Sequence, residues 1–221
     1  MKSVRISLIL NSIIVVFVLF ATICMSCGFE FMGHTTSLTA EGINVLQFYT
    51  VQSNLIMGIM AAVYVVYDIL IIIGKIDAIP AAVRLLKLTS TVGVSVTLLT
   101  VVLYLTPITG ENAATLYMNA NLFFHLLVPL LSIVTWLVFE RGDNIRFRWL
   151  WICILPTLIY GIFYAINAFS HTVEGKVPYR YDWYGFVQGG VGMTILVFAC
   201  MLAFVYGVTY VLWAINKPSK K

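Results

Sequence analysis

Charge is what this chain has least of. Only 10% of its 221 residues are Asp, Glu, Lys or Arg, while 61% are hydrophobic. A soluble domain carries about 25% charged and about 45–50% apolar residues, so a single aqueous core is excluded and an integral membrane protein is expected. Strand-length segments of alternating hydrophobicity are also missing, which argues against a membrane β-barrel. The connections are too short to hold a soluble domain, and there is no internal repeat or low-complexity tract. The net charge of +4 says little by itself, because its distribution is what matters, and no nucleic-acid partner is expected. Intramembrane histidine is reduced to one residue, His125, and bis-histidine haem ligation needs two.

Six apolar runs are long enough for a bilayer, which takes roughly 20 residues each. They are approximately 6–27, 45–73, 83–105, 120–139, 150–168 and 186–215. The first is longer than the 7–15 residues of a signal-peptide core and no Ala-x-Ala site follows it, so it is retained as a membrane helix. The expectation is an all-α polytopic membrane protein, one six-helix domain over residues 1–221. Eleven Lys and Arg fall on the side of both termini, and only Lys176 and Arg180 on the other. That bias places both termini in the cytoplasm. Of the four cysteines, Cys24 and Cys27 form a C-x-x-C on an apolar helix, which reads as packing rather than redox chemistry.

An ionisable side chain in hydrocarbon is a functional-site candidate whose partner should be sought. His125 and Thr50 each lie five residues into a span entered from the outside, on the order of 8 Å deep at 1.5 Å per residue. Thr50 shares a helix face with Ser53, Asn54 and Met57. Pro129 lacks an N–H, so the carbonyl four residues earlier, that of His125, is expected to lose its helical donor. Asn121 lies one turn outward of His125.

A threonine hydroxyl needs a nearby base to act as a nucleophile, and neutral imidazole is the usual one. Ser53, Asn54, Asn121 or a freed N–H is a candidate oxyanion donor. Tyr160, Tyr179 and Asp182 are candidates for a lid or its support, in or beside the aromatic-rich segment 171–184. No acidic residue lies at the depth of Thr50 and His125, so a third triad member requires Asp182 to fold inward. Other readings stay open. Thr50, Ser53 and Asn54 can simply satisfy backbone carbonyls and join helices. A non-catalytic lipid-binding protein or a small-solute transporter also fits, and a zinc site from His34, His125 and His171 is less well matched to ligand spacing.

The segment Phe48-Tyr-Thr50-Val-Gln-Ser-Asn54-Leu, followed by Asn121-Leu-x-x-His125-x-x-x-Pro129, resembles the androgen-induced protein family and its bacterial relatives. That family includes the androgen-dependent TFPI-regulating protein. Leu155-Pro156 with Tyr160, and Pro178-Tyr179, extend the similarity over the whole chain. The resemblance implies a six-helix membrane hydrolase with an intramembrane Thr–His pair, here Thr50 and His125. It implies a fatty-acyl ester substrate, of the fatty acid ester of hydroxy fatty acid type or related, and no cofactor or metal. The short loops resemble the bacterial branch, which implies a bacterial cytoplasmic membrane, and the charge bias with the depth of Thr50 and His125 puts the expected site near the outer leaflet.

Overall fold

The computed structural model describes residues 2–34 and 39–217. Six helices in it are long and apolar enough to cross a membrane: α1 (Lys2–Ser26), α2 (Tyr49–Ile72), α3 (Ala81–Tyr117), α4 (Ala120–Phe139), α5 (Phe147–Ser170) and α6 (Gly190–Asn216). Among the described residues there is no strand, only an isolated bridge between Val173 and Lys176. The chain is thus an all-α, six-span, multi-pass membrane protein, as composition requires. Lys2, Lys75, Arg146 and Lys217 mark one end of the bundle, called here the basic end.

Three boundaries differ from the apolar runs, each for a backbone reason. The run from residue 45 holds two elements, a 3-10 turn (Gly42–Gln47) and then α2, separated by Phe48 in an extended conformation. The third run does not stop at residue 105. It widens through a π-turn (Val101–Leu105) and, from Gly110 at φ +60°, continues as a tighter 3-10 stretch to Tyr117. The sixth run enters its helix only at Gly190, because residues before it are held by Asp182 rather than by helical bonds.

The helix α3 is the least apolar span together with α5, yet it is the centre of the bundle. In its most apolar window 67% of residues are buried, against 39% or less in the other five. Its hydroxyls explain how. Thr89, Thr91, Ser95 and Thr97 each donate to the carbonyl four residues back, so these four hydroxyls need no partner from lipid. Small side chains then let neighbours approach, which is what holds membrane helices together. A Cβ at Gly93 would stand 3.3 Å from Ser53 Cβ on α2, and one at Gly58 of α2 would stand 2.8 Å from Val18 of α1.

Candidate active site

The site begins with a register change in α4. Residues Phe123–Leu127 form a π-turn, in which the Val128 N–H reaches the Phe123 carbonyl. A π-turn pairs each carbonyl with the N–H five residues on, and for Phe124 that residue is Pro129, which has none. The orphaned carbonyl is therefore that of Phe124, not that of His125 as the α-helical spacing suggested. It is not left bare: Asn54 Nδ2 of α2 donates to it at 3.1 Å, and also to the Thr50 carbonyl at 2.8 Å. One amide thus stitches the backbone beside His125 to the backbone of Thr50.

His125 is fully buried. Its Nδ1 lies 2.6 Å from the Leu116 carbonyl, at the end of α3. A carbonyl only accepts, so Nδ1 carries the proton and Nε2 of the neutral ring presents a lone pair. That Nε2 has no hydrogen-bond partner among the described residues. The Leu116 carbonyl is brought there by Asn119, which turns the chain at φ +54° between α3 and α4. The Asn119 side chain accepts from the Phe31 and Met32 N–H groups and donates to the Gly33 carbonyl. The group that orients the imidazole is a backbone carbonyl rather than a carboxylate.

Thr50 is the second residue of α2, one turn above Asn54, so it stands at the helix N-terminus rather than a full turn inside it. N–H groups there lack intrahelical acceptors and carry the positive end of the dipole. The hydroxyl of Tyr184 fills this position: it accepts from the Tyr49 N–H at 3.1 Å and faces the Thr50 and Tyr160 side chains. Burial raises the Tyr184 phenol to about 12, so it is a neutral donor at ordinary pH. Thr50 and His125 share no hydrogen bond, since Nδ1 is on Leu116 and Nε2 is unpartnered.

Thr50 lines an apolar cavity of about 320 Å³ between α3, α5 and α6, with Val101, Phe198 and Leu202 among its walls. Ile162 and Ile166 line it and are also exposed on the apolar belt, so it communicates sideways with the lipid-facing surface. A second cavity of about 920 Å³, with Gln52, Ser53, Asn167 and Arg180 in its lining, lies between α2, α3 and α5. Tyr49 and Tyr160 belong to both. Their rings meet edge to face at 5.2 Å, and Tyr49 is tied to Thr157 at 2.9 Å and Tyr160 to the Gln47 carbonyl at 2.8 Å. A tyrosine partition therefore separates an apolar chamber from an amphipathic one beside Thr50.

The remaining sequence candidates are distributed as follows. Both amide hydrogens of Asn54 are committed to carbonyls, and Ser53 Oγ lies 3.1 Å from both the Thr50 carbonyl and Thr97 Oγ1. These two residues position Thr50 rather than offering donors to a substrate. Asn121 is buried one turn before His125. Asp182 does fold inward and is fully buried, but it accepts from Tyr164, Gln188 Nε2 (2.7 Å) and the Phe186 N–H (2.9 Å). It fastens the loop that carries Tyr184. Tyr160 supports the same loop by accepting from Trp183 Nε1 at 3.2 Å. Tyr179 is 75% exposed and lines neither cavity. His34 pairs with Glu30 and His171 stacks on Tyr181, so the three histidines occupy separate places.

Tyr184 escaped the sequence reading. Its only signal was the density of Tyr and Trp before α6, which reads equally as an interfacial belt. Comparison with protein-family models, with curated proteins and with solved structures finds no match.

Proposed function

We propose that the protein is an intramembrane hydrolase of amphiphilic acyl esters, with Thr50 as nucleophile and His125 as base. The observation that carries this reading is His125 Nε2: a buried, unpartnered acceptor with its tautomer set by Leu116, on a helix fastened by Asn54 to that of Thr50. The resemblance of the Thr50 and His125 segments to the androgen-induced protein family supports the same pair. In this proposal the ester lies beside Thr50 with its acyl chain in the apolar chamber and its polar portion past the tyrosine partition. The site opens to the outer leaflet.

The chemistry runs in two halves. Thr50 Oγ attacks the ester carbonyl while its proton passes to His125 Nε2, and the carbonyl oxygen becomes an oxyanion. Tyr184 O–H stabilises that charge, and the dipole at the start of α2 also favours it. The tetrahedral adduct collapses, His125 returns the proton to the leaving alcohol, and Thr50 holds the acyl group. Water, deprotonated by His125, then attacks the acyl carbon, and the carboxylic acid leaves with Thr50 reprotonated. The Thr50–His125 hydrogen bond forms in the substrate complex, as catalytic contacts commonly tighten only there.

A fluorophosphonate probe tests the pair. Detergent-purified protein is expected to form one covalent adduct, mapped by mass spectrometry to Thr50, with labelling abolished in Thr50→Ala and in His125→Ala. Undiminished labelling of Thr50→Ala removes the nucleophile assignment. A non-catalytic lipid carrier, the alternative that the same cavities serve, binds acyl ester without forming any adduct.

A further inference from the structure

The basic end of the bundle holds a second buried polar cluster, independent of the site around Thr50. Asp68 of α2, Lys87 of α3 and Glu140 at the end of α4 are all buried, together with Ser7 and Asn11 of α1. Lys87 Nζ donates to Asn11 Oδ1 at 2.5 Å and lies 3.8 Å from Glu140 Oε1. An ammonium only donates, so this contact fixes which end of the Asn11 amide is oxygen. Asn11 Nδ2 therefore faces Glu140 Oε1 at 2.8 Å and the Ser7 carbonyl at 3.0 Å.

Counting protons at Ser7 gives the inference. Ser7 Oγ lies 2.7 Å from Asp68 Oδ2 and 3.2 Å from Glu140 Oε1, and it also accepts from Asn11 Nδ2 at 3.2 Å, a contact that leaves its own single proton to be shared between the two carboxyls. A serine hydroxyl has one proton, and two ionised carboxylates have none to give. With both ionised, one of the two oxygen pairs is left facing without a hydrogen. One added proton satisfies both, with Asp68 Oδ2–H donating to Ser7 Oγ and Ser7 Oγ–H donating to Glu140 Oε1. We propose that Asp68, Ser7 and Glu140 form a proton-binding relay across α1, α2 and α4, holding one proton on Asp68, with Glu140 ionised beside Lys87.

The surroundings agree with an exchangeable site. Glu140 Oε2 and the Tyr64 hydroxyl are buried with no partner among the described residues, so the cluster is not saturated by its own members. Lys87 also lies over the Tyr64 ring, 4.9 Å from its centre. The other nearby charge is Arg84 of α3. It is turned away, donating to Asn216 Oδ1 at 2.8 Å with its guanidinium over the Trp136 ring. Passing the proton from Asp68 to Glu140 breaks the Asp68 O–H and Ser7 O–H bonds, and forms a new Ser7 O–H and a Glu140 O–H. Nothing is oxidised or reduced, and the net charge of the cluster is unchanged.

Infrared spectra of the purified full-length protein in H2O and D2O test this. At neutral pH a protonated-carboxyl C=O band is expected, moving to lower frequency in D2O and vanishing on alkaline titration. Asp68→Asn, whose amide can still donate to Ser7, should lose the band and keep the thermal midpoint of the parent. Ser7→Ala leaves both carboxyls in place and should keep the band but raise its frequency, because the acid loses its acceptor. Absence of the band from the parent protein overturns the proposal. So does its survival in Asp68→Asn, or an unshifted band in Ser7→Ala.

Discussion

The stitch between Asn54 and the Phe124 carbonyl yields the sharpest energetic prediction, because Pro129 is the reason that carbonyl needs a side-chain donor. Asn54→Leu is nearly isosteric and removes both amide donors. The Thr50 carbonyl keeps Ser53 Oγ at 3.1 Å, so its loss is small. The Phe124 carbonyl loses its donor in a span where water is absent, and an unsatisfied buried acceptor costs about 1–3 kcal/mol. Two terms lower this. Intramembrane hydrogen bonds measured by double-mutant cycles average about 0.6 kcal/mol with a maximum near 1.7. Asn54 Oδ1 itself has no partner among the described residues, so deleting it relieves a cost. We expect a net destabilisation of about 1–2 kcal/mol from Asn54→Leu. Pro129→Ala restores an N–H that can reach the Phe124 carbonyl in the π register. In that background Asn54→Leu should cost about 1 kcal/mol less, well outside the roughly 0.3–0.5 kcal/mol within which independent sites add. Reversible unfolding in mixed micelles of the two single variants and the double variant measures the coupling. Strict additivity, or a neutral Asn54→Leu, would refute the π-turn account of the site.

Two further outcomes follow from packing and from the phenol of Tyr184. Gly58→Leu drives a side chain into Val18, whose Cγ1 already stands 2.8 Å from the position of a Cβ; it should cost about 1–3 kcal/mol or prevent α1 from docking, and an unchanged thermal midpoint contradicts the close approach of α1 and α2. Because burial raises Tyr184 from 10.0 to about 12 in the folded protein, its phenol ionises first in the unfolded chain. Its contribution to stability is therefore complete below pH 10 and is lost as pH rises towards about 12. Tyr184→Phe should flatten that alkaline fall, and spectrophotometric titration should show one fewer late-ionising tyrosine.

The six spans were legible because hydrocarbon imposes a single demand, sustained apolarity, that a linear sequence displays directly. What the sequence did not display was backbone register. Pro129 announced an orphan carbonyl, but the rule of four residues pointed at His125, and only the π-turn over Phe123–Leu127 transferred it to Phe124. The apolar run from Val45 likewise hid the break at Phe48, which moves Thr50 from the interior of α2 to its N-terminus. That shift matters chemically, since it places helix N–H groups and Tyr184 beside the hydroxyl. Ser53 and Asn54 shared the correct face, yet periodicity identifies a face and not the direction of a hydrogen bond.

The charge count carries a similar lesson at the basic end. Arg84 and Lys87 are two of the eleven cations on the side of both termini. The positive-inside rule uses only the side of the membrane, and for that purpose depth is immaterial. In the structure Arg84 is 6% exposed and Lys87 is fully buried, with Asp68 and Glu140 beside them at 2% and 5%. A bundle of this size could close that end with apolar side chains alone, and removing charge from a buried cluster is often neutral or favourable. Three charged residues from three helices, joined through Ser7 and Asn11 of a fourth, are an expensive way only to hold helices together. The expense is explained if the protonation of the cluster matters, and the proton count at Ser7 identifies the hydroxyl through which that proton is shared.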